Sequence, residues 1–330
     1  MKKIACVLSL CAAMYIPLSA ALEYKPVADW LKLPAGRPQM GPMHGDIAVS
    51  SRGEVYVSVE PPRGVTEDAY AGVQVYSPEG AYLRNVPNAP PDFHGFVIRP
   101  QADGEFIYGA RLRGQEVLKL GLDGKVALTI PASAIPDDFK LRNARSNQIS
   151  VLFTGVDVAP NGDIYVADGY SSDFIHRFDK SGKYIKSFGG KKEPYSFNTL
   201  HKLTIDTRFQ PNRLIAVDRV NNRVVHMSLE GDFLGVVATE LLLPAAIVID
   251  GDHAIVGELT GRVTVLDKAG KVVTRVGTNT EKGVGTNQVP PDQWKTGLVL
   301  APHGVAINNR GDLFVAEFTQ FGRVHRFIRQ

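Results

Sequence analysis

The segment from 153 to 190 constrains the fold of this chain most, because it contains four short apolar stretches separated by turn residues. Residues 156–158 and 164–166 alternate apolar side chains with small or polar ones, as half-buried strands require. Between them lies Asn161-Gly162, the strongest short-range signal for a β-hairpin. Four antiparallel strands in succession are the unit of a β-propeller blade.

The same pattern recurs along the chain. Residues 301–327 align with the unit, with Ile307 in the place of Val158 and Glu317 in the place of Asp168. The apolar position of the first strand is found six times, 44 to 60 residues apart, and known blade repeats have roughly 40–50 residues. The six residues at this position are Val49, Ile98, Val158, Ile205, Ile249 and Ile307. The sequence therefore predicts an all-β, six-bladed propeller.

The two ends of the chain predict further features. Residues 1–21 combine Lys2-Lys3, an apolar run and small terminal residues, which indicates a secretory signal peptide and leaves residues 22–330 as a single propeller domain. We expect a secreted or periplasmic protein, with no membrane insertion after cleavage. The last repeat lacks its outermost strand, and we expect residues 27–33 (VADWLKL) to supply it and close the ring.

Composition excludes several classes of partner. The formal net charge is +3, and removal of Lys2 and Lys3 would leave +1. Neither nucleic acid nor an acidic membrane surface is therefore an expected partner. Both cysteines, Cys6 and Cys11, lie in the predicted signal peptide, so we expect no disulfide in the mature chain.

Histidine recurs at one position of the repeat, four residues before the apolar position of the first strand. This slot holds His94, His201 and His303 in blades two, four and six, and Gly45, Thr154 and Ala245 in blades one, three and five. Alternate blades of a six-fold ring are about 120° apart, so the three imidazoles should converge on the axis. Three protein nitrogens with one open position are typical of a catalytic zinc site.

A histidine in such a repeat can also have a structural role. A lone histidine at a strand start is usually structural, and only the symmetric set of three favours a metal site. His44 lies one residue out of frame, because Gly45 holds the slot of blade one. We interpret His44 as a group that supports a ligand or lines the channel.

Acidic residues recur after the second strand of the repeat, and less regular residues follow them. Asp168, Asp218, Glu258 and Glu317 occupy the acidic position in blades three to six. Because these acids belong to the repeat, we expect them to hold loop amides or the arginines that follow. Those arginines are Arg223, Arg262 and Arg323.

The positions beyond this acidic ring suggest chemistry. Arg111 and Arg219 share one slot in blades two and four, and Tyr170 stands one residue beyond it in blade three. Guanidinium groups match carboxylates, and a nearby cation lowers the pKa of a phenol so that it can accept a proton. The alternative is that the arginines pair with neighbouring acids and Tyr170 only packs.

At these residues the chain resembles a known family. GVDVAPNGDIYVADGY and LIAVDRVNNRVVHM look like NHL repeats. The ordered set of DGY at 168–170, LHKL around His201, DR at 218–219 and APHG around His303 resembles the peptidyl-α-hydroxyglycine α-amidating lyase propeller. The resemblance covers roughly residues 94–330. It implies a zinc enzyme that splits a peptidyl hydroxyglycine into a peptide amide and glyoxylate.

Position by position, the resemblance implies roles for five residues. It implies His94, His201 and His303 as zinc ligands, Tyr170 as base and Arg219 as carboxylate clamp. The family's first-blade arginine has no clear counterpart, and Arg63 or Arg111 would have to substitute for it. Gly304 stands where the family has an aspartate that helps to hold a structural calcium, so we expect no calcium site there.

We therefore expect a secreted metal-dependent lyase, or a related enzyme, that acts on a small-molecule or peptide substrate with a carboxylate at the axial channel mouth. The alternative is a non-catalytic NHL propeller that binds a protein, peptide or glycan on one face, since a fold does not determine a function. A gluconolactonase-like hydrolase would require axial carboxylates and asparagines as calcium ligands, and histidines stand in their place.

Overall fold

The computed structural model describes residues 22–142, 148–281 and 284–330. The predicted signal peptide, residues 1–21, lies outside these ranges. Within them the chain is almost entirely β, with six four-stranded antiparallel sheets, one two-stranded hairpin and three single-turn 3₁₀ helices. No helix of the described residues is long and apolar enough to cross a membrane.

The strands follow the order that the repeat predicts. β1 (Tyr24–Pro26) comes first in the chain but belongs to the last blade. Blade one contains β2 (Ile47–Val49), β3 (Val55–Val59), β4 (Gly72–Tyr76) and β5 (Tyr82–Asn85). Blade two contains β6 (Phe93–Gln101), β7 (Gly104–Arg111), β8 (Glu116–Gly121) and β9 (Val126–Pro131). Two 3₁₀ helices (Ala132–Ala134 and Asp137–Phe139) and the hairpin of β10 (Leu141–Arg142) and β11 (Ile149–Ser150) follow.

The remaining blades are built in the same way. Blade three contains β12 (Gly155–Val158), β13 (Ile164–Ala167), β14 (Phe174–Phe178) and β15 (Tyr184–Gly189). Blade four contains β16 (Leu200–Asp206), β17 (Arg213–Asp218), β18 (Arg223–Ser228) and β19 (Phe233–Ala238). Blade five contains β20 (Pro244–Asp250), β21 (His253–Glu258), β22 (Arg262–Leu266) and β23 (Val272–Val276). A 3₁₀ helix (Pro291–Gln293) precedes blade six, which contains β24 (Pro302–Ile307), β25 (Leu313–Glu317), β26 (Val324–Arg329) and β1.

The innermost strands line the axis and close the ring. β2, β6, β12, β16, β20 and β24 each contact the innermost strand of the next blade, and β24 contacts β2. The six-bladed propeller predicted from the repeat is therefore confirmed, and each of the six apolar anchor positions lies in an innermost strand. This arrangement brings the starts of six strands together at one end of the axis.

The N-terminal strand closes the ring, but it is formed by earlier residues than predicted. Tyr24–Pro26 pair antiparallel with β26, with Tyr24 opposite Arg329 and Pro26 opposite Phe327. Of the predicted segment 27–33, Val27 still donates to the Arg326 carbonyl of blade six at 2.9 Å, and the residues after it cross to blade one, where the amide of Lys32 donates to the carbonyl of Gly80 at 2.8 Å. Trp30 anchors this segment between the two blades, because its buried indole donates to the Pro78 carbonyl of blade one at 3.1 Å and packs edge-on against Phe314 of blade six, with ring centroids 5.2 Å apart.

Apolar side chains hold neighbouring blades together. In the described residues the buried apolar clusters span pairs of adjacent blades, and Val117 and Ile130 of blade two pack with Val166 of blade three in one of them. Another cluster joins Val263 of blade five to Val315 of blade six and is covered by Tyr24. Burial of each such side chain stabilises the fold by about 1.5–3 kcal/mol.

A truncation tests the closure. Removal of residues 22–26 should lower the melting temperature by several degrees, because it exposes the edge of β26 and removes the packing of Leu22 and Tyr24. In domains of roughly 150–250 residues each kcal/mol shifts the melting temperature by about 2–4 °C. Calorimetry measures the shift. The control is Lys25→Ala, an exposed side chain of the same strand, and an unchanged melting temperature of the truncated chain would contradict the closure.

Candidate metal centre

β-Bulges aim the three histidines of the repeat at the axis. The pairing of β6 with β7 shifts register between Phe93 and Gly95, and His94 is the extra residue. The same shift places His201 at the start of β16 and His303 at the start of β24. A bulge bends the strand locally and redirects a side chain, which explains why these imidazoles leave the alternating pattern of the strand.

Each of these imidazoles is fixed by a carbonyl of the next blade. The Nδ1 atoms of His94, His201 and His303 lie 2.8, 2.6 and 2.8 Å from the carbonyl oxygens of Thr154, Ala245 and Gly45, respectively. These three acceptors are the residues in the histidine slot of blades three, five and one. Because a carbonyl oxygen can only accept, each Nδ1 carries the proton, and each Nε2 keeps its lone pair.

The three imidazoles form a nearly equilateral cluster. Their ring centroids are 4.8 Å apart for His94 and His201, 4.9 Å for His201 and His303, and 4.8 Å for His94 and His303. Burial lowers the pKa of each imidazole well below its ordinary value, so the rings are neutral at neutral pH. The structure therefore brings the three predicted residues together on the axis, and their role as metal ligands stays a prediction.

The cluster has the chemistry of a metal site. Neutral imidazoles with free lone pairs suit zinc and related transition metals, and hydrogen bonding of the opposite ring nitrogen is the usual way of orienting such ligands. His303 Nε2 is also buried and has no hydrogen-bond partner in the described structure. A buried polar atom without a partner is costly, and a bound cation would satisfy it.

Tyr170 places its hydroxyl among these nitrogens. The preceding residue, Gly169, passes so close to blade four that a Cβ there would lie 2.0 Å from the carbonyl oxygen of Leu200. The Tyr170 Oη lies 3.0 Å from His201 Nε2 and 3.2 Å from His94 Nε2. The phenol can donate to only one of them, and His201 is the nearer.

Arg219 approaches Tyr170 from blade four. Its Nη1 donates to the Tyr170 Oη at 3.0 Å, and its guanidinium carbon lies 5.1 Å from the centre of the phenol ring. Burial raises the pKa of Tyr170, whereas the charge and the hydrogen bond of Arg219 lower it. Among the described residues no carboxylate forms an ion pair with Arg219, so its other donors remain available to a ligand.

Arg111 is placed differently from Arg219. Its guanidinium donates to Asp92 Oδ1 at 2.8 Å and to Glu116 Oε1 at 2.6 Å, which is the acid pairing that the alternative interpretation expected. It still lines a cavity of about 880 Å³ above the centre, together with His44, Arg63 and Arg113. The structure therefore brings Tyr170 and Arg219 to the imidazoles and leaves Arg111 at the cavity wall, where its catalytic role stays a prediction.

His44 belongs to the imidazole cluster, which the sequence frame did not indicate. One ring nitrogen each from His44, His94 and His303 lies within 4.8 Å of the other two, and His44 Nε2 is 3.3 Å from the Tyr170 Oη. The frame excluded His44 because Gly45 occupies the slot. The sequence signal for His44 is the adjacent Gly45, because the other five blades have a residue with a side chain in that slot.

The recurring acids have the structural role that the repeat predicted. Each accepts a hydrogen bond from a loop amide: Leu152 to Asp168 at 2.7 Å, Asn198 to Asp218 at 2.9 Å, Leu242 to Glu258 at 2.5 Å and Leu300 to Glu317 at 2.6 Å. Arg223, Arg262 and Arg323 also pair with Asp218, Glu258 and Glu317, respectively. These carboxylates hold the loops of the blades and are not free for catalysis.

An ion pair crosses the axis directly below the imidazoles. Asp46 and Lys202 each follow the histidine slot, in blades one and four, and the Lys202 ammonium binds the Asp46 carboxylate. The equivalent residues of the other blades are Gly95, Gly155, Ala246 and Gly304, which leave room for the pair. Both charged side chains are buried, and the amides of Ile47 and Phe96 also donate to Asp46.

Sequence comparison finds a similarity to one named enzyme but no matching family model. No family model matches the chain, so the NHL assignment stays a prediction. The chain is similar to peptidyl-alpha-hydroxyglycine alpha-amidating lyase 1 of Drosophila melanogaster, at 26% identity over 271 residues that cover 72% of this chain and 44% of the fly protein. The chain thus spans less than half of the length of that relative. This similarity confirms the resemblance to the amidating lyases.

Solved structures show the same fold at low identity. A streptogramin B lyase superimposes with a TM-score of 0.57 at 15% identity, over 94% of this chain and 97% of the other. A gluconolactonase from Xanthomonas campestris gives a TM-score of 0.57 at 10% identity, over 88% and 89% of the two chains. At these identities the likeness shows the propeller fold alone.

The axial ion pair can be tested by charge removal. Lys202→Met should lower the free energy of unfolding by about 3–5 kcal/mol, because it leaves the buried Asp46 carboxylate without its ammonium partner. Denaturant unfolding measures the loss, and Asp46→Asn in the same chain should recover part of it. Lys191→Met is the matched control, since its ion pair with Asp173 is exposed on the lysine side and should contribute less than about 1 kcal/mol. Equal losses in the two lysine variants would contradict a buried pair.

Proposed function

We propose that this protein is a secreted, zinc-dependent lyase that converts a peptidyl-α-hydroxyglycine into a peptide amide and glyoxylate. The observation that carries the proposal is the juxtaposition of three Nδ1-tethered imidazoles, the Tyr170 hydroxyl and an unpaired Arg219 guanidinium at one end of the axis. The similarity to the fly amidating lyase supports it. His94, His201 and His303 would hold the metal through their Nε2 atoms.

The bound cation would supply two effects in this site: it would polarise the substrate hydroxyl and lower the pKa of the neighbouring phenol. Tyr170, ionised by that second effect, then accepts the hydroxyl proton. As that proton leaves, the carbonyl group of glyoxylate forms and the carbon–nitrogen bond breaks. Tyr170 returns the proton to the nitrogen, which becomes the peptide amide, so the phenolate is restored and the reaction needs no oxidant or reductant.

Arg219 has two functions in this proposal. Its Nη1 contact orients the phenol, and its charge opposes the effect of burial on the pKa of Tyr170. Its remaining donors form a fork that matches the substrate carboxylate. The cavity above the centre, with Arg63, Arg111 and Arg113 on its wall, has room for the peptide part of the substrate.

Replacement of Tyr170 tests the base. Tyr170→Phe should lower the rate of glyoxylate release by on the order of 10²–10⁴-fold, because it removes only the hydroxyl group that accepts the proton. Metal content should remain near that of the unaltered protein, because the histidine Nε2 atoms are untouched. Glyoxylate assay and metal analysis of the same sample measure both quantities. Full turnover by Tyr170→Phe would refute the assignment.

Replacement of Arg219 tests the carboxylate clamp. Arg219→Lys should lower kcat/KM by roughly 10- to 150-fold, the effect of losing a charged hydrogen bond of about 1.5–3 kcal/mol. For a substrate whose carboxylate is replaced by an amide, the same substitution should lower kcat/KM much less. Arg111→Lys is the matched variant, and its effect should be smaller because Asp92 and Glu116 already bind the Arg111 guanidinium. Equal losses on both substrates would argue against a clamp.

A further inference from the structure

His44 reaches the imidazole cluster because the residue after it has no side chain. A Cβ at Gly45 would lie 2.6 Å from the carbonyl oxygen of Phe93 and from Ser58, so only glycine fits the slot of blade one. The chain before it is held in place by mutual backbone hydrogen bonds between Met43 and Thr319, at 2.7 and 3.1 Å. The close approach of blade two at Gly45 therefore brings His44, the residue before it, beside His94.

His44 lies beside two of the three slot histidines, and its ring nitrogen groups with those of His94 and His303. Its ring centroid is 4.8 Å from that of His94 and 5.0 Å from that of His303, which matches the spacing among the other three imidazoles. Phe318 packs against its outer side at a centroid distance of 4.8 Å. His44 also lines the cavity, so it stands between the other imidazoles and the entrance for substrate.

The polar contacts of His44 also face the cluster. Its Nε2 lies 3.3 Å from the Tyr170 Oη, which also faces the Nε2 atoms of His94 and His201.

We propose that His44 is a fourth metal ligand, which completes a set of four nitrogen donors on the cavity side of the centre. The inference rests on the proposed metal site and adds a specific consequence. Four protein donors make a closed tetrahedral site, whereas catalytic zinc sites keep one position open. A substrate that enters from the cavity meets His44 first and has to displace it.

Cobalt(II) is the probe that tests this inference, because its visible absorption depends on the number and kind of its ligands. The metal-free full chain is titrated with cobalt(II), and the spectrum and affinity are recorded for the unaltered protein, His44→Ala and His44→Gln. We expect a changed spectrum for both variants and an affinity loss above about 100-fold, which exceeds the roughly 10- to 100-fold loss typical of a group that only supports a ligand.

Two further variants calibrate the titration. His201→Ala should also change the spectrum, and His253→Ala, at the start of β21 and outside the cluster, should leave spectrum and affinity unchanged. Circular dichroism confirms that each variant is folded, and His44→Gln keeps most of the side-chain volume if His44→Ala does not fold.

The outcomes separate this inference from the proposed function. If the unaltered chain binds cobalt(II) and the His44 variants keep its spectrum, His44 is not a ligand and only this inference is overturned. If the unaltered chain takes up neither cobalt(II) nor zinc(II), the proposed lyase fails as well, and the binding-module alternative is favoured.

Discussion

The hydrogen bond from each slot histidine to the carbonyl of the next blade is the interaction on which the site depends. It joins blade two to three, four to five and six to one, so the orientation of every imidazole is coupled to the packing of two blades. The same bond selects the tautomer that leaves Nε2 free. A misplaced blade would therefore break a hydrogen bond between two neighbouring blades and would also misorient one imidazole of the cluster.

Much of the architecture follows from the period of the sequence. Six recurrences of one apolar position predict six blades, and three histidines in one frame predict an axial cluster, because rotational repetition converts equal sequence positions into equal distances from the axis. The acids at Asp218 and Glu317 were interpreted as structural on the same ground. Their hydrogen bonds to loop amides confirm that interpretation.

What the sequence could not predict arises where the repeat is broken. His44 is out of frame, and its place beside His94 depends on the close approach of blade two to Gly45. The closing strand lies a few residues earlier than the sequence predicts, because Trp30 makes residues 27–33 appear strand-like while its indole packs between blades six and one. Both cases depend on three-dimensional contacts that a periodic pattern does not contain.

The ion pair between Asp46 and Lys202 separates the imidazole cluster from the lower half of the axial channel. On the other side of the pair lies a small cavity of about 80 Å³, which Lys202 itself helps to line. The pair closes the axial route beneath the imidazoles, so in the proposed reaction the substrate would enter, and both products would leave, through the opening of the large cavity above the centre.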